Sequence, residues 1–179
     1  MRGKFCHISL GLIISGLVFL ESCSGDKGTT SPAPKLDLIA ENRIMNLELN
    51  YDSLIQFWFF YEDVDGDIGL DESDTLGDFA FGRPNFYNFF CYLYTLENDS
   101  WTSVLNPFNP SETMVFHERF PNLTPSGNDK RLSGELELNI PARPNGLRLD
   151  TIRFEMQLMD RSLHKSNICS SKEIILKHP

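Results

Sequence analysis

Gly134-Glu135-Leu136-Glu137-Leu138-Asn139-Ile140 decides the fold class. Leu136, Leu138 and Ile140 fall on one side of an extended chain, and Glu135, Glu137 and Asn139 on the other. A period of two is the mark of a half-buried β-strand, since successive side chains of a strand point to opposite faces. Residues 151–159 repeat the pattern. Ile152, Phe154, Met156 and Leu158 read as inward, Arg153, Glu155 and Gln157 as facing solvent.

Working outward, further strands are expected at 44–49, 54–61, 86–96, 113–120 and 173–177. Residues 101–105 are placed to pair back across the turn Glu97-Asn98-Asp99-Ser100 as a hairpin. Pro107, Pro110, Pro121, Pro125, Gly127, Pro141, Pro144 and Gly146 fall between these runs. Helical periodicity is hard to find. Seven or eight short strands with turn residues between them predict an all-β fold, an antiparallel β-sandwich.

The N-terminus has another character. Arg2 and Lys4 precede a 13-residue stretch, 8–20, that is apolar apart from Ser9 and Ser15. That is too short to cross a bilayer as a helix, which takes about 20 residues. It ends in Leu20-Glu21-Ser22-Cys23, which resembles the lipobox of bacterial lipoprotein signals. The resemblance implies cleavage before Cys23, with lipid on its thiol and an acyl chain on its amine. Two or more chains give stable membrane anchoring where one gives marginal binding. Ser24 rather than Asp follows, so the expected location is the outer membrane, with the leaflet open. The expected organisation is a signal peptide at 1–22, a lipidated Cys23 and flexible tether at 23–35, and one domain at 36–179.

Cleavage takes 22 residues from 179 and leaves 157, enough for one domain with a sizeable core. The net charge of −9 becomes −10, because the signal carries two cations and one anion. Such a polyanion is a poor partner for nucleic acid. Of four cysteines, Cys6 leaves with the signal and Cys23 takes the lipid. Cys91 and Cys169 remain, either bridged in an oxidising compartment or as two thiols, one buried in a strand.

Residues 62–78 hold eight carboxylates and no Lys or Arg: Glu62, Asp63, Asp65, Asp67, Asp71, Glu72, Asp74 and Asp78. Alternate Asp residues with interleaved Gly, as in Asp63-Val64-Asp65-Gly66-Asp67, suit a hard cation such as Ca²⁺, which takes oxygen ligands in flexible geometry. An EF-hand is excluded, because Ile68 stands where that loop needs Gly and the flanks read as strands. A solvated acidic turn is the other reading.

The run aromatic-Glu-Asp-Val-Asp-Gly-Asp resembles the DxDGD turn of cadherin-like and other bacterial Ig-like modules. Residues 150–156, with Asp160-Arg161-Ser162-Leu163-His164-Lys165-Ser166-Asn167, resemble the last hairpin of such domains. Phe120-Pro121-Asn122-Leu123-Thr124-Pro125 completes a set resembling small lipoproteins of the Bacteroidota type. The resemblance covers about a third of the mature chain. It implies a sandwich for adhesion, display or partner binding rather than chemistry. It also implies Ca²⁺ on Asp63, Asp65 and Asp67, with Asp160 as a partner from the last hairpin.

Thirteen of the 21 aromatic residues fall between Phe57 and Tyr94. Along 54–61 both faces are apolar, so Trp58 and Phe60 need a cover of their own. They are either buried under a loop or exposed as a platform for a glycan or an envelope protein. Catalytic patterns are weak. His117, His164 and His178 lack zinc spacing, and no nucleophile elbow or phosphate-binding loop is present. An envelope carbohydrate hydrolase using acidic-loop carboxylates and an accessory subunit of an envelope complex stand as alternatives to a non-catalytic binding domain.

Overall fold

A computed structural model describes residues 31–178. The signal peptide, Cys23 and the tether as far as Thr30 lie outside the described residues. The strands in chain order are β1 (Lys35–Asn46), β2 (Tyr51–Asp63), β3 (Phe89–Glu97), β4 (Ser100–Ser103), β5 (Leu105–Asn106), β6 (Asn109–Thr113), β7 (Leu132–Pro141), β8 (Thr151–Leu158), β9 (Cys169–Ser170) and β10 (Ile174–Ile175). All their pairings are antiparallel. One sheet has the order β1-β2-β7, and the second β10-β8-β3-β4 with β9 also on β8. The fold is an all-β antiparallel sandwich, as the alternating pattern predicts.

β7 forms because its alternation matches the demands of one wet and one dry face. Leu136 and Leu138 are half-buried and Ile140 is buried, while Glu135, Glu137 and Asn139 are exposed. In β8, Ile152, Phe154, Met156 and Leu158 are all buried. The core lies between the sheets. Phe57 meets Phe154 edge-on at 5.2 Å, and Phe59 meets Phe89 at 5.6 Å, a favoured aromatic geometry. Tyr61 closes the end of the core against Phe120 at 5.2 Å. Gly134 opposes Tyr61 across the β2–β7 ladder. A Cβ there would stand 2.6 Å from the tyrosine hydroxyl oxygen, so the ring occupies the place of the missing side chain.

The described residues form ten strands where seven or eight are expected. Two causes account for the difference. The segment after β4 leaves as the β5–β6 hairpin before returning along β3 through bridges Tyr92–Val115 and Phe89–Glu118. The final strand is also broken in two. β9 and β10 both pair with β8, one residue out of register with each other. Two buried serines complete this edge of β8, Ser171 within the break and Ser166 ahead of β9. Ser171 Oγ accepts the Phe154 N–H at 2.9 Å, and Ser166 Oγ accepts the Leu158 N–H at 2.9 Å. Each hydroxyl stands in for a ladder carbonyl, so no buried amide is orphaned there. The β3–β4 turn falls where expected, with Asn98 and Asp99 at φ 50° and 62°, the two positive values a tight type I′ hairpin needs.

Cys91 and Cys169 are both free and buried, which corrects the disulfide alternative. The reason lies in the register. Cys91 of β3 and Cys169 of β9 both pair with Met156, from opposite edges of β8. Neighbouring strands lie about 4.8 Å apart, so the two stand roughly 10 Å apart. A bridge needs Cα atoms within about 7 Å. Burial raises both thiol pKa values, and the Cys169 thiol donates to the Leu36 carbonyl at 2.8 Å.

Candidate metal centre

β2 ends in Asp63, whose side chain is the last inward position of that strand and is fully buried. A carboxylate is placed there by the same alternation that buries Ile55, Phe57, Phe59 and Tyr61. Its Oδ2 accepts the N–H groups of Asp67 at 2.9 Å and Ile68 at 3.1 Å. Those two bonds, spanning four and five residues, fold residues 63–68 into a tight loop. Gly66 is required at its tip, with φ +64° and a hypothetical Cβ only 1.6 Å from the Lys130 carbonyl oxygen.

The loop brings Asp63, Asp65 and Asp67 together, with one carboxylate oxygen of each within 4.8 Å of the others. Asp63 is buried, Asp67 half-buried and Asp65 exposed, so the cluster opens to solvent on one side. Oδ1 of Asp63 and Oδ1 of Asp67 are both buried without a hydrogen-bond partner. Buried carboxylate oxygens ordinarily have partners, and leaving them unpaired is costly. The Asp63 carboxyl pKa is raised from 3.8 to about 7. Burial is the main cause; the adjacent Asp65 and Asp67 carboxylates add to it, and the Asp67 amide opposes it. Such a carboxyl carries its negative charge only at a cost.

The remaining acidic residues behave differently. Arg161 grips Asp74 with both terminal nitrogens, at 2.5 and 3.0 Å, and lies 3.6 Å from Asp71. That guanidinium holds the Asp74 carboxyl below its usual range. Arg119 donates to the Asp71 and Asp74 carbonyls at 2.9 and 3.1 Å and stacks on Phe86. The window that lacks cations in sequence therefore receives them from distant segments: Arg119 and Arg161 serve its second half, and Lys35 lies 3.9 Å from Glu62 at its start.

Asp160 stands beside the triplet rather than in it. It bridges to Ile68 in the chain pairing, but both of its oxygens are engaged by His164, through the backbone N–H at 2.7 Å and Nδ1 at 3.0 Å. Burial, and secondarily the Asp67 charge, raises its pKa against the pull of those bonds. What the last hairpin does bring is Ser162, whose hydroxyl donates to Asp67 Oδ2 at 2.6 Å, and the Arg161 N–H, which donates to the Asp67 carbonyl at 3.1 Å. Neither contact is legible locally, because Ser162 lies 95 residues from Asp67.

Trp58 and Phe60 lie half-buried on the outer face of the first sheet, paired with Glu137 and Glu135 of β7. On β1 their partners are Ala40 and Asp37. The loop after the acidic turn packs elsewhere, against Phe86, Arg119 and Arg161. The second sheet carries an aromatic face too: Tyr92 is 37% exposed, and Arg153 lies over the rings of Tyr94 and Trp101 at 5.6 and 4.8 Å.

Against protein-family models, curated proteins and solved structures alike, the chain has no significant match.

Proposed function

We propose that this chain is a lipid-anchored outer-membrane protein whose β-sandwich is a non-catalytic binding module, stabilised by Ca²⁺ held on Asp63, Asp65 and Asp67. One observation carries the metal assignment. Two buried carboxylate oxygens, on Asp63 and Asp67, have no partner within a triplet whose ligand atoms already converge. Three carboxylates, with water completing the shell, match the oxygen-rich and flexible coordination of Ca²⁺. The Asp67 and Ile68 amides fix the Asp63 carboxylate in place, so little ordering remains for the metal to impose.

Burial is what supports the non-catalytic reading. The carboxyl with the most perturbed proton affinity is Asp63, and its side chain is out of reach of a substrate. Its role is to tie the end of β2 to the loop. The lipid anchor rests on the residues ending at Cys23, and the aromatic outer face with Trp58 and Phe60 is the surface offered to a glycan or protein.

Isothermal titration of the protein with Ca²⁺ tests the site. Wild type releases or absorbs binding heat, and Asp65→Ala and Asp67→Ala lose it. The absence of binding heat in wild type, with no rise in melting temperature, ends the proposal.

A further inference from the structure

The side of the sandwich where β1 faces β10 is open. β1 is the edge of its sheet. Ser53 of β2 gives its carbonyl to Ala142 on the β7 side. Antiparallel pairing alternates the direction of main-chain groups along a strand. The groups of Ile55 and Phe57 therefore also turn toward β7. Those of their partners Arg43 and Glu41 turn away from β2, to the free edge. Nearer the start of β1 this edge is already satisfied. The Asn167 side chain accepts the Leu36 N–H at 3.0 Å and donates to the Leu36 carbonyl at 2.7 Å, imitating a neighbouring strand. Past the bulge between Leu38 and Ala40 no described strand takes its place.

Beside this free stretch is a cleft of about 490 Å³ whose lining includes Glu41, Arg43, Asp52, Ile55 and Glu173. Three carboxylates face one guanidinium. Arg43 is already committed, donating to Asp52 Oδ2 at 3.1 Å and to the Ile175 carbonyl at 2.6 Å. Asp52 is 1% exposed, and its Oδ1 has no partner. The cleft is thus short of positive charge and bordered by unpaired main chain. Those are the two things an extended basic peptide supplies.

We infer that the open edge of β1 is a strand-addition site for an extended, basic polypeptide segment, with a Lys or Arg side chain seated in the cleft between Glu41, Asp52 and Glu173. An added strand alternates its side chains. Every second residue enters the cleft, and the others lie against the exposed side chains of Ile39 and Ile175. The inference deepens the binding-module reading by naming its partner, and it is independent of Ca²⁺.

The test uses full-length protein in detergent and a fluorescent peptide of alternating Lys and Val, read by anisotropy. The Lys–Val peptide binds, and amide exchange slows at Glu41 and Arg43. A Glu–Val peptide binds at least roughly tenfold more weakly, as like charges then meet in the cleft. A Lys–Val peptide of equal charge methylated at every peptide nitrogen also fails, because it offers no N–H to the edge. The double variant Glu41→Gln, Glu173→Gln preserves the acceptor used by Lys172 and weakens Lys–Val binding by roughly tenfold. Equal binding of the N-methylated and unmethylated Lys–Val peptides overturns strand addition in favour of diffuse charge attraction. Protection of the β1 edge by a second copy, seen as a dimer in size exclusion without peptide, overturns it as well. Loss of all peptide binding while Ca²⁺ titration succeeds overturns the edge assignment alone.

Discussion

Replacing Asp63 by Asn separates a metal site from a solvated acidic turn, because the two demand opposite signs. The Asn side chain retains an oxygen for the Asp67 and Ile68 amides but carries no charge. In wild type the Asp63 pKa rises from 3.8 to about 7. That rise corresponds to a ceiling of about 4 kcal/mol for keeping the folded carboxylate ionised. The direction follows from proton counting. Between about pH 4 and pH 7 the folded state holds the proton that the unfolded state has released, so metal-free stability falls as pH rises through that window. Above it the penalty is complete. At pH 8 in EDTA, Asp63→Asn is therefore more stable than wild type. For a domain of this size each kcal/mol moves the melting temperature by roughly 2–4 °C, so the gain is several degrees and at most roughly 16 °C. Calcium offsets the penalty. At a concentration about 1,000-fold above the dissociation constant, binding adds about 4.1 kcal/mol to wild type, enough to cancel even that ceiling, while Asp63→Asn loses the ligand charge and gains little. Differential scanning calorimetry of both proteins, in EDTA and in excess Ca²⁺ at pH 5 and pH 8, reads all four values. A wild type that melts with the Asn variant in EDTA at pH 8, and does not move on adding Ca²⁺, refutes the argument.

Arg161→Ala frees Asp74 and Asp71 from their partner. Since the pair is partly exposed, the expected loss is about 1 kcal/mol, seen as a lower urea midpoint with an unchanged slope. Asn88 is fully buried and clamps Phe120, accepting its N–H at 2.6 Å and donating to its carbonyl at 3.3 Å. Asn88→Ala leaves the Phe120 N–H unpaired, while the carbonyl keeps the Leu70 N–H at 2.9 Å, and costs about 1–3 kcal/mol by the same assay. Cys91 and Cys169 resist a thiol reagent in the native protein and react in denaturant. An intact mass 2 Da below the dithiol value would show a bridge and contradict the register. Asn167→Ala exposes the Leu36 main chain and speeds amide exchange there, measured by hydrogen exchange with Phe57 as the slow reference.

The sandwich was legible wherever one face is wet and the other dry, as in β7 and β8. Register needs only the alternation there. β1 was harder. Strand was expected at 44–49, whereas it runs from Lys35 to Asn46, because its inward Glu41 and Arg43 are held by partners 131 and 132 residues away. Local pattern cannot show that a charged side chain will be neutralised from the other end of the chain. The acidic turn divides in the same way. Asp63, Asp65 and Asp67 converge through bonds spanning four or five residues, so their meeting was readable. The rescue of Asp71 and Asp74 by Arg119 and Arg161 spans some 50 to 90 residues and was not. Nor did spacing alone reveal that Met156 would stand between the two cysteines.

The Asn167–Leu36 clamp has a mechanical consequence. Any pull from the chain ahead of Ser31 enters the domain at Lys35, one residue from that clamp. The load then runs lengthwise along β1, where the whole β1–β2 ladder resists in shear instead of opening bond by bond. It also passes sideways into the C-terminal segment, which is joined a second time where Asp52 accepts the Lys177 N–H at 2.7 Å. The first and last strands thus form a single buckle, and single-molecule stretching from the N-terminus should meet its main resistance before any inner strand yields. Asn167→Ala loosens the first catch of that buckle and lowers the force peak, while the same pull applied between β3 and β8 is unaffected.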